Sequence, residues 1–541
     1  MSLDPSTFET VVPSRYITFT LPHPHRRLLR VAVLDSPSAS AAAPSPTAAM
    51  WVPPGRESDW IFSTFSGHLQ LLLSSPISRL ILLGNCPSYP QPTSYNSALC
   101  PSSPPSLQQN IAPLLLGLTP KSEFVGHGEI PEVPLLVYED EVVKNSILEI
   151  CEGPCVGEML IENVELVNDG VREFRRRLRF KRMPNFVQSQ MRIRPVNESS
   201  SDNLDDSEFE LDKGVLVQPY LSPMVAGIAV ISWFLEGRMR AGFRPKALCL
   251  GVGGGALLGF LSNQLNFEVD GIEEDEAVLD VAKRYFGLDS DEFIHLFAED
   301  GIGYVKRIAN NISEGDKFDI VMVDLDSSDV MNGVCAPPVE FVEKYVLRAV
   351  RAVLCEEGIL VINVIPSSEL FYERLICEFQ EVFEELYEID VGNGENFVLI
   401  ATQSIIRNAL DGNGSAFLNK LKMVSVYDLV TADLVQNTRL LVSLNTSSCS
   451  PGNGKCGQSI RYCLARVYNV GRCVLAKLEI ICAVTIAPVQ TAALCDSVVA
   501  NQGFRLLTAA RYEDEMEKST AYKSFCTNNT NEISPEAYLN D

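Results

Sequence analysis

Apolar positions change rhythm along this chain, and the changes mark its parts. From Leu216 to Gln403, short apolar runs bounded by polar turns alternate with longer one-sided stretches. The runs predict strands at Ala247–Leu250, Phe267–Ile272, Phe293–Leu296, Phe318–Val323, Ile359–Val364 and Phe397–Ala401. The stretches between predict helices at Ala277–Phe286, Gly303–Ile308, Val339–Val353 and Ser368–Phe379, with an apolar helix ahead of them at Pro223–Leu235. Alternation of this kind implies a parallel sheet covered by helices on both faces. The end breaks the rule: Leu386–Val391 and Phe397–Ala401 flank Gly392-Asn393-Gly394, a hairpin signal. The expected fold class is therefore α/β, a Rossmann-like seven-stranded sheet with an antiparallel last strand, over residues 214–423.

Upstream the pattern differs. Short strands at Pro134–Tyr138, Val156–Val167, Arg172–Phe180 and Phe186–Ile193, followed by an acidic, Ser-rich loop, make 135–213 a small β-rich segment. Residues 49–134 alternate apolar runs such as Leu80–Leu83 with Pro/Ser-rich loops and read as a further α/β segment. Residues 1–48 end in a run of Ser, Ala and Pro and are expected to be a flexible lead-in. Beyond Met423 periodicity fades, seven of the 15 cysteines are scattered there, and 424–541 is expected to be a partly disordered tail without an assigned role.

Bulk composition excludes some functions. A net charge of −25 repels phosphate backbones, so no nucleic-acid partner is expected. No C-x-x-C pair suggests a metal site. The most apolar late stretch, Cys473–Cys495, is interrupted by Lys477, Glu479 and Pro488 and is not expected to span a membrane. No basic n-region with an apolar core opens the chain, and a cytoplasmic setting with free thiols is expected.

The candidate chemistry lies at predicted strand ends, where open α/β sheets bind ligands. Gly251, Gly253, Gly254 and Gly255 follow the first strand and open a helix, a loop that lets backbone approach a ligand. Glu273 ends the next strand, placed to accept hydrogen bonds from ribose hydroxyls, while Asp275 suits a helix cap. These two motifs fit NAD and S-adenosylmethionine alike. Asp300-Gly301 after the third strand separates them, because a carboxylate and an N–H there read an adenine edge. Asp300 also suits a helix N-cap, and one residue can do both. Asp324, Asp326 and Asp329 then cluster after the fourth strand, suited to holding an ammonium and taking its proton. The basic run Arg172–Arg182, with seven Lys and Arg, is expected to face solvent.

Together these motifs resemble the spermidine synthase-like methyltransferase fold. Further residues resemble one family, the C-terminal half of the dual methyltransferases of translation elongation factor 1-alpha: Asn185-Phe-Val-Gln188-Ser, Met224-Val-Ala-Gly227, Cys335-Ala-Pro337-Pro338 with Phe341-Val-Glu343, Gly394-Glu-Asn396, and Trp51-Val-Pro-Pro-Gly55-Arg56-Glu57 with Trp60. The resemblance covers about residues 50–405. It implies an S-adenosylmethionine cofactor, a protein substrate and trimethylation of the elongation factor's N-terminal α-amine. It also implies that Gln188 touches the cofactor and that Pro337-Pro338 fixes the acceptor loop. Asn396 suits both a hydrogen bond to an incoming peptide and a hairpin turn.

No second glycine-rich loop precedes Leu248, so the family's lysine-modifying half is not expected in this sequence. Ala256 stands where spermidine synthases carry an acid, and Leu221 and Ser222 stand where those enzymes carry tyrosine and glutamine. Aminopropyl transfer and an inactive scaffold are the alternatives. Counting from Asp319 picks Asp324 as the base and counting back from Asp329 picks Asp326, and the sequence leaves both open.

Overall fold

The structure is a computed structural model. It describes residues 4–406 apart from 24–25, 38–45, 100–105, 125–130, 139–140, 169, 197–203, 205–206 and 328–334, together with 416–424 and three strands beyond. Six strands come first: β1 (Tyr16–His23), β2 (Arg26–Asp35), β3 (Thr47–Trp51), β4 (Arg79–Asn85), β5 (Tyr95–Asn96) and β6 (Leu135–Leu136). All but β5 form a sheet of order β1-β2-β4-β3-β6, flanked by α1 (Trp60–Ser63), α2 (Phe65–Leu73) and α3 (Ser106–Leu118). Tyr16–His23 and Arg26–Asp35, expected within a flexible lead-in, are thus paired strands. Their alternation buries Leu29, Val31 and Val33 against α3 while Ala32 and Leu34 face α2. The Ser/Ala/Pro run falls largely outside the described residues.

The second sheet, β11-β10-β9-β8-β7-β5, uses β7 (Val142–Gly153), β8 (Gly157–Asn168), β9 (Val171–Phe180), β10 (Val187–Pro195) and β11 (Phe209–Leu211). One face of it buries Met159, Ile161, Leu178 and Met191 in a shared cluster with Val278, Val281 and Phe286 of the third unit.

That third unit holds β12 (Lys246–Leu250), β13 (Glu268–Glu273), β14 (Ile294–Ala298), β15 (Phe318–Val323), β16 (Leu354–Val364), β17 (Glu385–Asp390) and β18 (Phe397–Thr402). Their order is β14-β13-β12-β15-β16-β18-β17. Pairs from β14 through β16 are parallel, and β18 runs antiparallel between β16 and β17, as expected for a methyltransferase-type sheet. Three further strands, β19 (Thr438–Ser443), β20 (Tyr462–Arg466) and β21 (Glu479–Ile481), extend the β17 edge.

Alternation along each strand feeds two cores. Ala247 and Cys249 face α4 (Leu221–Gly227), α5 (Ser232–Arg240) and α6 (Ala256–Leu265). Leu248 and Leu250 face the side covered by α8 (Gly301–Ala309), α9 (Lys344–Val353) and α10 (Glu369–Val382). The remaining helices, α7 (Glu276–Phe286) and α11 (Ala416–Val424), lie against the second sheet and against α5 and α6. The helix predicted at Pro223–Leu235 is split by a 3-10 turn at Ile228–Ile231. No helix among the described residues is long and apolar enough to cross a membrane.

Candidate functional site

A cleft of about 210 Å³ opens at the carboxyl ends of β12, β13 and β15. Gly251, Gly253, Glu273, Asp300, Gly301, Asp324 and Asp326 all line it, so the sequence motifs converge on one place. A wider hollow of about 340 Å³ lies at the opposite strand ends, around Lys246, Glu268 and Phe318, away from the glycine loop.

The loop is shaped for close approach. Gly251 has φ +86°, and a side chain there would meet the Asp324 carbonyl oxygen at 2.1 Å. At Gly253, φ +52°, a Cβ would strike the Ser189 hydroxyl at 2.5 Å. Gly254 and Gly255, expected to hold cofactor, are not among the residues lining the cleft. The Gly254 N–H donates to Ser189 Oγ at 2.8 Å, and Gly255 lies against Leu288. They fasten the loop to its surroundings because that close packing leaves no room for a side chain.

Glu273 Oε2 accepts from the N–H groups of Val252 and Gly253 at 3.1 and 3.2 Å. Its Oε1 has only a long contact, 3.4 Å, from Asp275 N–H. Burial raises its pKa, opposed by those backbone donors. Asp300 N-caps α8, accepting from Ile302 and Gly303 N–H at 3.2 and 2.8 Å, while still lining the cleft. Asp275 caps α7 as expected, through Ala277 N–H at 3.0 Å. Its other oxygen accepts from Cys155 and Val156 N–H at 2.8 and 2.9 Å, tying the β7–β8 turn to the sheet.

The acids after β15 are unequal. Asp324 accepts from the Tyr220 hydroxyl at 3.0 Å and from Asn363 Nδ2 at 3.1 Å. Burial pushes its carboxyl up to about 6 against those two donors, and Asp326 adds to the rise. Asp326 is also raised by burial, opposed first by Arg182 and then by Gln188. Yet Asp326 Oδ2 and Gln188 Nε2 are both buried without a formed hydrogen bond. Asp329 lies outside the described residues.

Three contributors were not legible in sequence. Tyr220, Asn363 and Arg182 come from α4's start, β16 and the turn after β9, and no local motif marks them. The tyrosine and glutamine placed by sequence at Leu221 and Ser222 have counterparts slightly upstream: Gln218 Nε2 donates to the Tyr220 hydroxyl at 3.0 Å. Asn396, expected to reach an incoming peptide, is buried behind Asn363 and donates to its Oδ1 at 2.9 Å. The hairpin Asn393 in turn donates to Asn396 Oδ1 at 2.7 Å. Asn396 is therefore a positioning residue. Ala336 and Pro338 line the cleft wall, and Ala336 exchanges backbone hydrogen bonds with Ile365.

The basic run departs from expectation. Arg179 is buried, bonded to Glu162 at 2.8 Å, to Asp59 at 3.2 Å and to the Pro184 carbonyl at 2.9 Å. Arg172 pairs with Glu165, Lys181 with Glu158, and Arg176 donates to the Tyr285 carbonyl. Arg56 pairs with Asp59, so part of the Trp51–Trp60 motif serves the joint between sheets.

Residues 245–390 match the spermine/spermidine synthase domain family. An eEF1A lysine and N-terminal methyltransferase homolog from Drosophila pseudoobscura is 27% identical over 68% of this chain and 50% of its own length. The Xenopus laevis eEF1A lysine and N-terminal methyltransferase is 26% identical over 68% of this chain and 52% of its own. The chain resembles these methyltransferases. It spans about half the length of the curated relatives it matches. Among solved structures, human methyltransferase-like protein 13 in complex with SAH is 23% identical, covers 38% of this chain and 90% of that one, and has a TM-score of 0.33.

Proposed function

We propose that this chain is an S-adenosylmethionine-dependent protein N-methyltransferase acting on the N-terminal α-amine of translation elongation factor 1-alpha. The observation that carries the reading is Asp324: a buried carboxylate gripped by Tyr220 and Asn363, in the same cleft as the glycine loop and Glu273. The cleft suits the cofactor. Gly251 and Gly253 let the loop backbone pack on Asp324 and Ser189 at positive φ and so line the cleft, and Glu273 keeps an oxygen with only a long contact for ribose. Asp300-Gly301 would border adenine. Gln188 stands on the opposite wall.

Bound S-adenosylmethionine supplies a sulfonium methyl, an electrophile that needs a neutral amine in line with it. The chain's task is to supply that amine. Asp326 attracts the ammonium, and Asp324, ionised above about pH 6, takes its proton. An α-amine, with a pKa near about 8, gives up that proton at much lower cost than a lysine near about 10.4. Asn396 holds Asn363, and Asn363 holds Asp324. The proposed setting is the cytoplasm, in keeping with seven free cysteines among the described residues.

Aminopropyl transfer is the second reading, favoured by Gln218 and Tyr220 beside Asp324. Ala256, in place of an acid, counts against it. Incubation with S-adenosylmethionine and recombinant elongation factor, read by peptide mass spectrometry, tests the proposal. Single-methyl mass steps at the N-terminus are expected. Modification of lysines alone would sink the acceptor assignment, and product from decarboxylated cofactor plus putrescine would favour the alternative. Calorimetry that finds no S-adenosylmethionine binding would leave only a scaffold role.

A further inference from the structure

Arg182 sits at the mouth of the cleft with its guanidinium carbon 5.2 Å from the centre of the Phe180 ring. One nitrogen, Nη2, stands 3.9 Å from Asp326 Oδ1. That contact is a full ångström longer than a charge-assisted hydrogen bond, and the arginine is 36% exposed, so it is weak and screened. Asp326 Oδ2 and Gln188 Nε2 meanwhile lie buried with no hydrogen bond formed. Gln188 is nonetheless close enough to favour ionised Asp326 through a weak, poorly aligned hydrogen bond. A carboxylate and an amide, neither well matched, therefore stand near each other in the cleft, with a loosely held cation over the carboxylate's other oxygen, Oδ1.

From this arrangement the geometry points to Arg182 as a gate on the acceptor-amine site, with Gln188 setting which amine is chosen. Its guanidinium occupies the ammonium position on Asp326, and an acceptor amine must displace it. A simple amine brings only its charge to that exchange. A peptide N-terminus brings an ammonium for Asp326 and, three bonds away, a carbonyl oxygen for Gln188 Nε2. The pair meets both side chains at once, and leaving a buried polar group under-satisfied is costly. Small alkylamines and polyamines lack that carbonyl and lose the competition. The gate deepens the reading under Proposed function, since it names how that same site chooses its acceptor.

The test is calorimetric binding to the full chain without cofactor, so that it does not depend on transfer. The probes are triglycine amide, its N-acetyl form and n-butylamine. In the parent chain the free tripeptide binds and the acetylated form does not. Arg182→Met is expected to tighten n-butylamine and the free peptide alike, by about tenfold, since both displace the same guanidinium. Arg182→Lys keeps a competing charge and should stay near the parent. Gln188→Met should weaken the peptide by about tenfold and leave n-butylamine unchanged. Equal constants for n-butylamine in the parent and in Arg182→Met would overturn the gate. Equal weakening of peptide and butylamine by Gln188→Met would overturn the carbonyl contact. A parent chain that binds the free peptide but not S-adenosylmethionine would sink the methyltransferase reading while the Arg182 constants still decide the gate.

Discussion

Asp324 is a carboxylate kept from water yet given two donors, so its ionisation falls within the working range of pH. Its pKa is raised from 3.8 to about 6, chiefly by burial. Transfer should therefore fall away below about pH 6, which a pH–rate profile will show. Asp324→Asn should lose roughly 100-fold or more at pH 8, the scale of a missing general base. Asp326→Asn should act mainly on KM, since Asp326 meets the ammonium. Unchanged turnover in both variants would reject the proton-steering role. The raised pKa also has a stability consequence. The folded state holds this proton more tightly than the unfolded chain between about pH 4 and 6. The group's contribution is fully present below its unfolded pKa and is lost as pH rises through about 6. Asp324→Asn should then melt higher than the parent at pH 8, by on the order of 1–3 kcal/mol, with the difference gone near pH 4. Thermal melts at the two pH values check the sign.

At the scale of elements, the β12–α6 loop shows how little slack the site has. Gly251→Ala would drive a methyl into the Asp324 carbonyl, 2.1 Å away, at a backbone conformation that disfavours any side chain. Loss of S-adenosylmethionine binding by calorimetry is expected, with a lowered melting temperature. This loop, Glu273 and the Asp324–Asp326 pair were legible in sequence because each follows directly on an apolar strand. Tyr220, Asn363 and Arg182 were not, because they reach the cleft from positions 104, 39 and 144 residues away from Asp324 or Asp326 and follow no local rule. β7 was missed for a different reason. Its sequence, VVKNSILEICEG, breaks alternation, and its pairing with β8 carries two register shifts. β1 and β2 do alternate, but the Ser/Pro-rich surroundings obscured them.

At the scale of the molecule, three sheets are held by buried charge as well as by apolar contact. Asp59 begins α1 beside the first sheet and meets Arg179 of the second, while Glu162 meets the same guanidinium. Arg56 and Arg179 hold the Asp59 carboxyl far below its usual range despite burial. Asp59→Ala would leave two arginines short of a counter-charge, a loss of about 3–5 kcal/mol in urea unfolding. The same joint supports Pro184, whose carbonyl Arg179 grips, two residues before Phe186 enters the cleft wall. The match at residues 245–390 omits that wall, since Phe180, Arg182, Gln188, Ser189 and Tyr220 all lie ahead of it.

Asp275 gives the cleft an asymmetry. One carboxylate starts a helix and also latches the β7–β8 hairpin, so that flank cannot swing outward without unwinding the helix it abuts. Across from it, the Arg182 side chain meets the acids of the cleft through a single long contact of 3.9 Å to Asp326. The backbone on that side is tied as well, through Lys181 N–H to the Glu158 carbonyl and Phe186 N–H to the Met183 carbonyl, so what can give way there is a side chain. Hydrogen–deuterium exchange should record it: slow amides at Cys155 and Val156, and at Lys181 and Phe186 across from them.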